Sequence, residues 1–263
     1  MSNIATEVDS VRASRAGHTF HERWAARKAL QLVFPDDCLF AIAVEGISST
    51  ETASPGAKAE EVADLVLYYG GGDNFRTCDR LETVQFKYKL RAEAVTAVYL
   101  RKTIEKFSDT ILGYDKEFPT TKVDKKLSFI FVTNSDFTET LWQAIFSLVN
   151  GSKPKSAGAS TQAKNLRQWC ANRGLSDVSR LFSRIVFRAG EKSLAGQENL
   201  LKRTLTDWSP GSDTEARLRL YNCSDVDKTR FRRKKILWFA IHRVQYIFPS
   251  NQILTLTSWP GFL

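Results

Sequence analysis

Three polar residues in two consecutive predicted strands have the chemistry to act on a phosphodiester. Asp64 lies in an otherwise apolar segment, and Gln85 and Lys87 follow in the next segment, which alternates apolar and polar residues. Residues i and i+2 of a strand share one face, so Gln85 and Lys87 project together, and Asp64 joins them if the strands are neighbours. Carboxylate and amide oxygens bind Mg²⁺, which polarises a phosphate and lowers the pKa of bound water, while a lysine stabilises developing negative charge. The spacing therefore predicts a metal-assisted hydrolytic site.

Each of these residues also has an ordinary structural explanation. Asp64 could pair with an arginine, and Gln85 and Lys87 could form the solvated face of an amphipathic strand. A carboxylate within an apolar strand is seldom left without a partner or a use. The three residues together, at this spacing and in this order of elements, favour the chemical interpretation.

The elements that must position these residues follow from hydrophobic periodicity. The predicted order is helix 19–34, strand 38–46, strand 62–69, strand 81–90, helix 92–107, strand 126–134 and helix 137–151. Thr19 and Glu22 fit a capping box at the start of the first helix, and Pro35 ends that helix. The glycines at 70–72 predict a turn that joins two strands in a hairpin-like pair. Alternation of this kind indicates an α/β or α+β layer with one sheet.

Beyond a low-complexity boundary at 152–160, the chain is predicted to be mostly helical and basic. Residues 1–150 carry a net charge of −3, whereas residues 151–263 carry +12. The densest cluster of cations comprises Lys228, Arg230, Arg232, Arg233, Lys234 and Lys235. A localised basic surface predicts a polyanion partner. The alternatives are a solvated helix face or a contact to an acidic neighbouring domain.

The composition argues against several classes of protein. With 43% apolar and 25% charged residues, the chain has the composition of a globular protein. No apolar run is long enough to span a bilayer, and no secretion signal is expected from the polar first residues. Four cysteines without a CxxC pair, and only three histidines, exclude a zinc finger or a disulfide framework. The expected compartment is the cytoplasm.

The order α-β-β-β-α-β, with Asp64 and Gln85-x-Lys87, resembles the PD-(D/E)xK nuclease superfamily in its QxK variant. More narrowly, the segments GHTFHERWAARKAL, VEGISS, EVADLVLYYGGG and VQFKYKL are similar to a double-stranded-DNA nuclease domain. That domain occurs at the N-terminus of bacterial antiphage effectors, in cyclic-oligonucleotide (CBASS) systems and in STAND-NTPase defence proteins. The resemblance covers residues 17–150 well and residues 151–263 only loosely.

This resemblance implies a restriction-endonuclease-like α/β core over 17–151 and a mostly helical, basic extension over 160–263. It implies that Asp64 is a metal ligand, that Gln85 occupies the second ligand position and that Lys87 is the catalytic lysine. Glu22 fits an auxiliary acidic position, with helix capping as its alternative, and Glu45 is a further expected ligand. The expected cofactor is Mg²⁺, or Mn²⁺ in its place. The superfamily more often has an acid at the position of Gln85, whereas a neutral amide brings no charge to the metal. Binding of Mg²⁺ is therefore expected to depend more strongly on the carboxylates of Glu22 or Glu45.

The expected function is therefore a Mg²⁺-dependent endonuclease of antiphage defence that cuts double-stranded DNA with low sequence specificity. Lys89 and the basic cluster at 228–235 are expected to contact the DNA. The alternatives are a catalytically silent DNA-binding or assembly module and an RNase on the same core. Self-association as a dimer or tetramer is expected, because a double-strand break needs two cuts. The chain is also expected to be part of a larger protein with a downstream NTPase or sensor domain.

Overall fold

A computed structural model of the protein describes residues 2–32, 38–44, 46, 63–91, 93–208 and 253–255. The chain divides into two compact units. The first comprises residues 1–39 and 192–249, and the second comprises residues 40–191 and 250–263. None of the helices in the described part of the chain combines the length and apolar character needed to cross a bilayer.

The helices and strands alternate along the chain. The helices are α1 (Ser2–Ala29), α2 (Ala97–Glu117), α3 (Thr120–Lys126), α4 (Glu139–Asn150), α5 (Ala157–Asn172), α6 (Val178–Phe182) and α7 (Leu194–Trp208). The strands are β1 (Leu39–Val44), β2 (Leu65–Tyr69), β3 (Arg80–Lys87), β4 (Leu127–Thr133), β5 (Ile185–Arg188) and β6 (Ile253–Thr255). The fold is thus mixed α/β, as the sequence predicts.

In the first unit, α1 packs against α7. The Arg23 guanidinium donates to the Leu194 carbonyl at 2.7 Å and pairs with the Glu198 carboxylate at 2.9 Å. The prediction that the first helix begins at Thr19 is wrong, because α1 begins at Ser2. Thr19 and Glu22 therefore lie inside the helix, where no capping box forms. The early start is consistent with a segment that lacks proline and is rich in alanine and arginine, which are good helix formers.

The second unit is built on one mixed sheet with the strand order β5-β4-β3-β2-β1-β6. Strands β2 and β3 pair antiparallel, with Leu65 opposite Val84, which confirms the predicted hairpin-like pair. Strand β4 lies parallel to β3, with Phe131 beside Gln85, and β5 lies parallel to β4. Strand β6 pairs antiparallel with β1 at the other edge. The chain crosses from β3 to β4 through α2 and α3.

Helix α2 covers the face of the sheet that carries the odd-numbered residues of β3 and β4. Phe107 of α2 stacks on Phe129 of β4 with ring centroids 4.5 Å apart. The buried stripe of α2 consists of Leu100, Ile104, Phe107, Ile111 and Tyr114. This stripe extends past the predicted end at residue 107, so the helix continues to Glu117 before Pro119. Gln85 and Lys87 have odd numbers too, and therefore belong to the helix-covered face at the end of β3.

Helices α5 and α6 and strand β5 complete the second unit, so the segment 152–160 lies within it. Helix α4 ends at Asn150, and the capping residue Gly151 that follows has a left-handed φ of 63°, as expected for a glycine after a helix. Arg180 of α6 joins two other helices. Its guanidinium contacts Asp115 at 2.6 and 2.8 Å and Asp124 at 2.6 Å.

The loop that joins β2 to β3 is closed by a lysine from outside the hairpin. The Lys126 ammonium donates to the carbonyl oxygens of Phe75 at 3.4 Å, of Arg76 at 3.5 Å and of Cys78. Gly70, with a φ of 90°, packs so closely against the Asp79 side chain that no Cβ fits there. These contacts fix the end of the hairpin opposite to Lys87.

Candidate active site

Asp64 and Gln85 bond directly to each other across the β2–β3 pair. Continuing the register by one residue places Asp64 opposite Gln85. The Asp64 Oδ2 atom accepts a hydrogen bond from Gln85 Nε2 and a second one, at 2.7 Å, from the backbone N–H of Phe86. The prediction that Asp64 lies inside a strand is wrong, because β2 begins one residue later, at Leu65. Asp64 directly precedes β2, and its carboxylate accepts a hydrogen bond from the backbone of β3.

The single oxygen of the Gln85 side-chain amide, Oε1, has no hydrogen-bond partner among the described residues. Gln85 is 3% exposed, and its Oε1 atom is buried. Reversing the amide would bring Oε1 against the Asp64 carboxylate, so charge fixes Nε2 as the donor. A buried acceptor without a partner costs about 1–3 kcal/mol. A cation bound beside Asp64 would satisfy this oxygen, so the two residues fit a hard, oxygen-liganded ion such as Mg²⁺.

The described part of the chain holds no cluster of three His, Cys, Asp or Glu side chains that could bind a metal. A cation at this site would therefore rely on one carboxylate, on the Gln85 amide oxygen and on water. Mg²⁺ commonly keeps several waters when it binds to proteins.

Lys87 lies two residues beyond Gln85 on the same strand face and is partly buried. Burial lowers the pKa of its ammonium group, the negative charge of Asp64 opposes this, and the positive charges of Lys106 and Lys102 lower the pKa further. No hydrogen bond or ion pair occupies the Lys87 ammonium within the described ranges. The geometry thus brings together Asp64, Gln85 and Lys87, the three residues that the sequence analysis placed at one point.

Lys89, expected to contact DNA, already has partners within the chain. Its ammonium lies 4.6 Å from the centroid of the Tyr99 ring, 3.3 Å from the Glu93 carbonyl oxygen and 3.9 Å from the Glu93 carboxylate. Its backbone is held by the Asn134 side chain, which accepts from Lys89 N–H at 2.8 Å and donates to the Lys89 carbonyl at 2.7 Å. These bonds fix the chain two residues beyond Lys87.

The remaining predicted site residues lie either in the first unit or outside the described residues. Glu22 belongs to the first unit, where it lies 3.4 Å from His18 one turn earlier on α1. Glu45 and the basic cluster at 228–235 lie outside the described residues. Their roles as ligands and as DNA contacts stay predictions.

Sequence reasoning missed Asn134 and the lysines of α2. Asn134 directly follows β4, and the carboxyl ends of parallel strands meet at one edge, so its position beside the end of β3 was open to prediction. Lys102 and Lys106 are one helical turn apart, which predicts a shared face. No signal in the sequence showed that this face lies close to Lys87.

Comparison with known proteins adds no relative. No protein-family model matches the sequence, and no curated protein matches it significantly. What can be argued about function therefore depends on the residues and their geometry.

Proposed function

We propose that the chain carries a Mg²⁺-dependent endonuclease that cuts double-stranded DNA on a restriction-endonuclease-like core, as an effector of antiphage defence. The observation that carries this proposal is the Asp64 carboxylate, bonded by Gln85 and by the Phe86 N–H, on the strand face that also carries Lys87. An antiparallel β2–β3 pair followed by a helical crossover to a parallel β4 supports the same core.

In this proposal Asp64 and Gln85 hold the cation through their oxygens. The bound ion supplies Lewis acidity and a water of lowered pKa. Lys87 orients the attacking water and stabilises negative charge on the phosphate. Because burial lowers its pKa, Lys87 gives up its proton more readily than an exposed lysine.

The test is cleavage of supercoiled plasmid by the full chain with Mg²⁺, with EDTA in a parallel arm and structured RNA as a second substrate. The variants are Asp64→Asn and Lys87→Ala, and the control is Lys125→Ala, which removes an exposed lysine of α3. We expect Mg²⁺-dependent cutting of DNA by the wild type and the control, and none by the other two variants.

Each outcome separates the alternatives. Cleavage of RNA alone would favour the RNase. DNA binding without cleavage in either Mg²⁺ or Mn²⁺ would favour the silent binding module. Cutting by Lys87→Ala at the wild-type rate would overturn the assignment of the site.

A further inference from the structure

Helix α2 presents a stripe of three residues, which we call the α2 stripe: Tyr99, Lys102 and Lys106. Their spacing of three and four residues places them on one face of the helix. Lys89, just after β3, lies over the Tyr99 ring, so the first turn of α2 adjoins the end of the strand that carries Lys87. Lys102 and Lys106 are also near enough to Lys87 for their charges to act on it.

The acidic residues of α2 that could neutralise this stripe are engaged by arginines. Glu105 pairs with Arg101 at 2.9 Å, and Asp109 is held by Arg173, whose Nε donates at 2.7 Å. Within the described ranges, no carboxylate lies within ion-pairing distance of Lys102. Like charges one turn apart oppose helix formation. The exposed Lys102 ammonium therefore has no carboxylate partner in the described part of the chain, which favours its binding of an anion.

We infer that the α2 stripe binds the phosphodiester backbone of duplex DNA and directs it to Asp64 and Lys87. This inference rests on the proposed function, because it assigns the substrate contacts of the same site. Lysines act on phosphates as point charges and read no bases, so the contact agrees with low sequence specificity. Lys102 is exposed, so its loss leaves the fold intact.

The experiment measures duplex DNA binding by fluorescence anisotropy in EDTA, over a series of salt concentrations, with the full chain. The variants are Lys102→Gln and the double variant Lys102→Gln with Lys106→Gln. The control is Arg101→Gln, the neighbouring exposed cation that already binds Glu105. Each lost phosphate contact should reduce the slope of log affinity against log salt by about 0.9. We expect the slope to fall in the two lysine variants and to stay at the wild-type value in the control.

A slope unchanged in the double variant, or an equal fall in Arg101→Gln, overturns the inference. A structured RNA arm distinguishes the nucleic acids, and a slope that changes for RNA alone also overturns it. Cleavage of plasmid by the wild type, with no slope change in the lysine variants, would reject the α2 stripe and keep the nuclease. A slope change without any Mg²⁺- or Mn²⁺-dependent cleavage would reject the nuclease and keep the α2 stripe as a DNA contact.

Discussion

The Asp64 Oδ2 atom lies 2.7 Å from the backbone nitrogen of Phe86, the residue that separates Gln85 from Lys87. The carboxylate therefore holds the segment of β3 that carries both other site residues. An alanine at position 64 would remove this structural bond together with the chemistry. Asparagine keeps an oxygen that can accept from the Phe86 N–H, which makes Asp64→Asn the more informative variant.

Gln85→Glu should destabilise the metal-free protein. The change removes the donor to Asp64 and places a second carboxylate beside the first, at a cost of about 1–3 kcal/mol. In a protein of this size, each kcal/mol lowers the Tm by about 2–4 °C. Mg²⁺ should restore most of the loss, because it neutralises the two carboxylates. Thermal unfolding with and without Mg²⁺ measures both effects.

The matched control is Gln143→Glu. Gln143 also donates to a carboxylate, that of Glu139 at 3.1 Å, but the pair is exposed on α4. We expect a small loss of stability there and no response to Mg²⁺. If Mg²⁺ changed the Tm of the two variants by the same amount, there would be no cation site at Gln85.

Lys87→Met should raise the free energy of unfolding at neutral pH. Burial lowers the pKa of Lys87 below its ordinary value of 10.5, so the unfolded chain holds this proton more strongly than the folded chain. The charged lysine therefore destabilises the fold at neutral pH, and this cost disappears as the pH rises through the folded-state pKa toward 10.5. The stability that Lys87→Met gains over the wild type should therefore decrease as the pH rises through the folded-state pKa of Lys87.

Urea unfolding of both proteins at a series of pH values measures this difference. If the difference in the free energy of unfolding between the two proteins stayed constant from neutral to alkaline pH, burial of the charged Lys87 would not be its cause. The comparison also needs no nucleic acid, so it tests the electrostatics of the site independently of cleavage.

Arg180→Met should cost more stability than Arg173→Met. Both guanidiniums bind carboxylates, but the Arg180 side chain is 13% exposed and the Arg173 side chain 35%. Breaking a buried pair costs about 3–5 kcal/mol, and the partial exposure of Asp115 and Asp124 lowers this to about 2–4 kcal/mol. An exposed pair contributes at most about 1 kcal/mol. Denaturant midpoints of the two variants give the comparison, and equal losses would contradict it.

Asn134→Ala should loosen the chain beyond Lys87. Two hydrogen bonds to the Lys89 backbone disappear, which should cost about 1–2 kcal/mol and speed hydrogen exchange at the Lys89 amide. The control is Asn150→Ala, which removes one exposed bond to the Phe146 carbonyl and should change stability by less than about 0.5 kcal/mol. Unchanged exchange at Lys89 would show that the Asn134 side chain does not hold this segment.

The relative position of Asp64, Gln85 and Lys87 was predictable because it follows from two local rules. Alternation within a strand places Gln85 and Lys87 on one face, and the hairpin-like pairing of β2 with β3 brings Asp64 opposite Gln85. The hydrogen bond from the Phe86 N–H to Asp64 was not predictable, because it depends on where β2 begins. A residue pattern predicts the end of a strand only to within a few positions, because the last paired residue depends on contacts with the neighbouring strand.

Features that depend on tertiary contacts escaped prediction. The N-terminal part of α1 is polar and has no strong apolar periodicity. Hydrophobic periodicity therefore did not predict a helix there, and the predicted start at Thr19 was wrong. The extent of α2 was underestimated because Ile111 and Tyr114, which continue its buried stripe, follow a polar stretch. The proximity of Lys102 to Lys87 depends on how a helix lies on a sheet, which sequence spacing does not encode.

The lysine that closes the β2–β3 loop binds the end of the hairpin that is remote from the candidate site. Lys126 binds the carbonyls of residues 75–78 at the end of the sheet remote from Lys87. Changes in the sequence of that loop are expected to affect how easily the hairpin forms, whereas changes around Lys87 are expected to affect the proposed site. Exchanging the loop between diverged copies of this protein, together with Lys126, should therefore leave substrate preference unaltered.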